Sequence, residues 1–151
     1  MIYRTVLAVL LATALLAVSL PALDDARQER AATAVATDID ALQRAAGDLL
    51  AADDPTDGAG ARRIITFRLP ARQWANAGVE QVTITPRADG TPASVSWRVD
   101  GDRTMSRPLP GLPLQTPTGA PLRLQSQGRH RLVLALSGTP GSPVVTVRRL
   151  K

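Results

Sequence analysis

The 151-residue sequence predicts an α+β chain: a long N-terminal helix, transmembrane and then amphipathic, packed on a C-terminal antiparallel β-sheet of six or seven strands. Three observations carry this. An uncharged apolar run extends from Thr5 to Leu23, an apolar stripe at helical spacing follows it, and from residue 62 short alternating segments are separated by Gly and Pro. The chain therefore divides into a transmembrane anchor (1–23), an amphipathic helix (24–54), a linker (55–61) and a basic antiparallel β domain (62–151).

The anchor is built from Val6, Leu7, Val9, Leu10, Leu11, Leu15, Leu16, Val18 and Leu20. As a helix, the run from Thr5 to Leu23 covers about 28 Å at ~1.5 Å per residue, enough to cross a bilayer core of ~30 Å. Arg4 precedes it and Asp24-Asp25 follow it. The positive-inside bias then places the N-terminus in the cytoplasm and the C-terminal domain outside the cell, as a single-pass membrane protein. A second reading is a cleaved signal, with Ala17 and Ser19 as the small residues before the cut. Pro21 either kinks one continuous helix or begins a fresh one capped by Ser19.

Between Asp24 and Ala52 there is no Pro, Ala is abundant and the single Gly is Gly47, all of which suit a helix. Ala31, Ala32, Val35, Ile39, Leu42, Ala46, Leu49 and Leu50 share one arc, so Val35, Ile39, Leu42 and Leu49 are expected to pack on the sheet. The acidic pairs Asp24-Asp25 and Asp53-Asp54 read as helix punctuation, and Asp57-Gly58-Ala59-Gly60 as linker.

In the β domain, Ile65, Phe67 and Leu69 alternate with polar residues, as do Val82 and Ile84, then Val95, Trp97 and Val99. Asp100-Gly101 signals a hairpin into Arg103 to Arg107. Leu122 and Leu124, then Leu132, Leu134 and Leu136, then Val145 and Val147 complete the set, with Pro108 to Pro121 an irregular or edge crossing. An apolar sheet face needs a cover, and the helix stripe is the nearest one.

Charge sharpens that pairing. The formal net charge of +5 conceals four arginines against nine acids in residues 1–60 and fourteen bases against four acids in residues 61–151. Acids flanking the helix are expected to face arginines on the rim of the sheet. Arg129, Arg131, Arg148 and Arg149 form the best candidate contact for an anion or an acidic partner. Nucleic acid is not the expected partner, because Tyr3, Phe67, Trp74 and Trp97 are too few for a stacking platform and the location is external.

Catalysis is not expected. With 0 Cys, disulfides, thiolate zinc sites and cysteine nucleophiles are excluded. His130, the single histidine, has no second ligand for a metal and reads as a strand-start residue on a solvated basic face. No phosphate loop, nucleophile elbow or converging carboxylate pair is present, so no cofactor, metal, catalytic residue or small-molecule substrate is assigned. Trp74 lies in a loop-like connection, read as a lid over one end of the sheet or as an exposed contact, and Trp97 reads as core.

The layout of apolar helix, proline, amphipathic continuation and small antiparallel sheet resembles type IV pilins and pseudopilins. The stretches MIYRTVLAVLLATALLAVSLPALDDAR, GARRIITFRLPAR and GRHRLVLAL, with the ending VTVRRL, resemble a haloarchaeal family of small membrane-anchored proteins associated with pilus or secretion gene clusters. These resemblances imply a structural or accessory subunit whose partners are the membrane and pilus or secretion components. The sequence departs from the pilin pattern in lacking both a Gly or Ala processing site before the apolar run and a Glu within it.

Overall fold

A computed structural model describes residues 2–55, 60–100 and 103–150. The linker residues Asp57, Gly58 and Ala59 and the hairpin residue Gly101 lie outside the described residues. Helix α1 runs unbroken from Ile2 to Ala52, about 76 Å at ~1.5 Å per residue. Pro21 is inside it. Ser19 does not cap a new helix: its hydroxyl donates to the Leu15 carbonyl at 2.7 Å, one turn back. Asp24 and Asp25 likewise fall within the helix instead of punctuating it, and Asp24 pairs with Arg27 at 2.9 Å.

Among the described residues eight strands follow: β1 (Arg62–Leu69), β2 (Val79–Thr85), β3 (Ala93–Val99), β4 (Arg103–Leu109), β5 (Leu114–Gln115), β6 (Leu122–Leu124), β7 (Gly128–Thr139) and β8 (Ser142–Arg149). They form two sheets where the sequence predicts one, ordered β1-β7-β8-β5 and β4-β3-β2-β6. The Pro-rich stretch supplies the extra strand, because Leu114 and Gln115 pair in parallel with Val145 and Thr146. All other pairings are antiparallel.

The predicted alternation sets both inner faces. Phe67, Leu69, Leu132, Leu134, Leu136, Val145 and Val147 line one, and Val82, Ile84, Val95, Trp97, Val99 and Leu124 the other. The helix stripe joins them in one core: Val35, Ile39, Leu42 and Leu49 are fully buried, with Ala31, Ala32 and Ala46 beside them. Leu50 is only partly buried.

The helix packs most closely on edge strand β1 and also on the interior strands β3, β7 and β8, and polar ties hold it to one edge of each sheet. Edge strand β1 meets it through the Arg68 amide, which donates to Asp38 Oδ2 at 2.6 Å, and through Arg63, which lies 3.8 Å from Asp48 and 4.0 Å from Asp53. Edge strand β4 meets it through Arg107, 2.8 Å from Asp40. These exposed pairs contribute ~0–1 kcal/mol each, so burial of the stripe supplies most of the docking energy. They do bring the acidic helix flanks against the basic sheet rims, as the charge division predicts.

Candidate functional site

Two surfaces carry the functional questions. The first is the free part of α1: every residue from Ile2 to Ala26 is exposed, whereas burial by the head begins at Arg27 and is complete at Ala31. The anchor residues predicted from sequence all lie here, from Val6 at 51% to Val18 at 77% exposed. The segment is long and apolar enough to span a membrane. Two hydroxyls within its apolar run are internally satisfied, Thr13 donating to the Val9 carbonyl at 2.8 Å and Ser19 to the Leu15 carbonyl. An apolar face of this extent in water is costly at about 25 cal/mol per Å².

The second surface is the outer face of the β1-β7-β8-β5 sheet. Register places Arg68 opposite Arg129, Thr66 opposite Arg131, and Ile64 opposite Val133, which is in turn opposite Arg148. Since Phe67, Leu132 and Val147 point into the core, Arg62, Arg68, Arg129, Arg131 and Arg148 share the outer face, where no acid stands on these strands. Arg149 is separated from this group, because it pairs with Leu132 and so belongs to the inner row at the strand's end. Of the four arginines singled out from sequence, three therefore converge. Val133 is 4% exposed despite lying on the outer face, consistent with cover from the apolar stems of neighbouring long side chains.

A profile described as a domain of unknown function, DUF7311, matches residues 2–150. The chain belongs to the DUF7311 family. The match takes in the apolar helix as well as the β head. No curated protein and no solved structure matches the chain significantly.

Two sequence readings within this DUF7311 chain are corrected. His130 is not on the solvated face: it pairs opposite Phe67, is 3% exposed, and holds Nε2 at 2.5 Å from the Ser126 carbonyl, with Nδ1 buried and unbonded. Trp74 is not a lid, being 84% exposed at the tip of a turn closed by Gln73 and Asn76, while Trp97 is core at 7%.

Proposed function

We propose that this protein is a single-pass membrane protein that displays its β head outside the cell on a helical stalk and acts through protein–protein contacts, as a pilin-like or secretion-accessory subunit. One observation carries the reading: a single helix serves as a buried element of the head in its second half and projects free and apolar in its first. Retention of the apolar segment is favoured over signal cleavage because the helix passes without interruption through Ser19 and Pro21 into the stripe that the head buries. The orientation rests on Arg4, and the kinship with pilus or secretion systems on the sequence resemblances.

The test is fractionation of cells expressing a C-terminally tagged chain. Full-length protein resisting alkaline extraction, with the tag cleaved by external protease, supports the reading. A soluble form beginning after Ser19, or a tag protected inside the cell, rejects it. Co-purification from native membranes then tests the assembly role, which fails if no pilus or secretion component is recovered.

A second reading is favoured by the direct pairing of Arg68 with Arg129. Like charges placed opposite each other on one sheet face are unfavourable unless an anion relieves them. The outer face would then bind an anionic polymer or an acidic protein. Loss of retention on a polyanion column by the Arg129→Ala, Arg131→Ala double variant supports this, and unchanged retention removes it.

A further inference from the structure

We propose that Trp74 seats in the headgroup layer of the bilayer, so that the head rests on the membrane through the β1–β2 connection. The inference rests on the membrane-anchored reading and adds a second contact to it. The connection, residues 70–78, is the part of the head bound lowest on the helix. Ala77 donates its amide to the Arg27 carbonyl at 3.3 Å, and Arg30 Nη1 donates to the Ala75 carbonyl at 3.4 Å. Between these ties, Gln73 and Asn76 exchange backbone hydrogen bonds of 2.9 and 3.2 Å, leaving Trp74 and Ala75 at the tip.

The heights agree with a lipid contact. Apolar sequence ends at Leu23, so Arg27 and Arg30 stand about 6 and 10 Å beyond it along the helix. The polar layer of each leaflet is roughly 5–7 Å deep. The Arg27 tie thus lies within that layer and the Arg30 tie just beyond it, so a tryptophan side chain at the tip that leans toward the bilayer reaches the level where such rings are enriched, its ring body in the apolar fringe and its N–H in water.

Nothing in the head covers the ring, which is 84% exposed, although Trp97 is buried. The surrounding charges are mixed: Arg30 and Arg72 are exposed, as are Asp24, Asp25 and Glu29. The contact is therefore one of an amphipathic ring with the interface and requires no anionic lipid.

The test uses the full chain in phosphatidylcholine vesicles carrying bromine either near the headgroup end or deep in the acyl chains. The protein has two tryptophans, so wild type minus Trp74→Phe isolates the Trp74 emission. A blue-shifted Trp74 component, quenched more by shallow than by deep bromine, is expected. A Trp74 component that shallow bromine leaves unchanged and aqueous acrylamide quenches, in vesicles that carry the protein on flotation, overturns the contact while leaving the anchor intact. Shielding of Trp74 only in native membranes overturns it in favour of a protein partner. Failure of the chain to float with the vesicles removes the anchor and the contact together.

Discussion

The Asp38 carboxylate accepts the Arg68 backbone amide at 2.6 Å and so closes an edge of a sheet with a helix side chain. β1 has no strand on its outer side, and an open edge is a template for unwanted pairing. The helix covers this one, and Asp38 satisfies a donor that would otherwise face the covering surface. Burial pushes the Asp38 carboxyl above its ordinary 3.8, against the opposing pull of the Arg68 amide and guanidinium.

Asp38→Asn and Asp38→Ala are expected to separate those two effects. Ala removes the acceptor and should cost ~1–2 kcal/mol, whereas Asn keeps an acceptor and abolishes the desolvated charge. The raised value means the folded state holds its proton more tightly than the unfolded chain. The site's contribution is thus fully present below pH 3.8 and lost as pH rises through the folded value. Asn should compare most favourably with wild type near pH 7 and lose that advantage toward pH 4. Thermal melts at both pH values check the sign, and a gap that widens on acidification contradicts it.

Leu42→Ala should cost ~2–5 kcal/mol, because Leu42 is fully buried where the stripe meets the sheets and its loss leaves a cavity. Leu10→Ala removes a similar volume from the exposed run, where Leu10 is 61% exposed, and should leave the head's melting unchanged. Equal effects of the two on a tertiary circular-dichroism melt would contradict the division of α1 into a buried and a free half.

The helix stripe and six of the strands are legible in the sequence because each rests on a local period, and β4 (Arg103–Leu109) is legible from the Asp100-Gly101 turn signal before it. Alternation also contains the signal for His130, since the inward row of Leu132 and Leu134 extends back to it. The charged run Arg129-His130-Arg131 obscures that signal. Division into two sheets is not legible, because alternation tells which side chains share a face but not which strands are neighbours. β5 is two residues long and pairs with a strand some thirty residues later, which leaves no period to detect. Trp74 sits in a connection where no periodicity applies, so only the turn geometry shows it to be exposed. The role of Asp38 depends on which amide an edge strand aims at the helix.

Gly78→Ala should destabilise the head by ~1–3 kcal/mol through overpacking. Gly78 exchanges hydrogen bonds with Asp100, its amide donating to Oδ2 at 3.0 Å and its carbonyl accepting from the Asp100 amide at 2.9 Å. An added Cβ would lie 2.7 Å from that same Oδ2 and 3.1 Å from the Arg72 nitrogen. Something in the turn must shift. Asp100→Ala combined with Gly78→Ala should recover part of the loss, because the clash disappears with the carboxylate. A double-mutant cycle showing simple additivity would contradict the steric account.

Relief of like-charge repulsion should make Arg129→Ala neutral or slightly stabilising, by up to ~1 kcal/mol. Arg129 is exposed opposite Arg68, and neither shows a salt bridge among the described residues. The gain should fade as ionic strength rises past ~0.15 M, where the screening length is ~8 Å. Denaturant titrations at low and high salt check this, and destabilisation that persists in salt would mean the side chain stabilises by packing.

Removing residues 1–23 should leave the head folded, with a melting temperature within a few degrees of that of the full chain. No described residue before Arg27 is buried by the head, so the truncation deletes neither core contacts nor the ties at Arg27 and Arg30. Removing residues 1–54 takes away Val35, Ile39, Leu42 and Leu49 as well, together with the acceptor that closes the β1 edge. Each of those fully buried side chains contributes ~1.5–3 kcal/mol, against a total stability of ~5–15 kcal/mol for a domain, so the shorter fragment should not fold. A 1–23 deletion that loses cooperative melting would show that the apolar segment stabilises the head, a role its exposure along the whole of Ile2 to Ala26 does not predict.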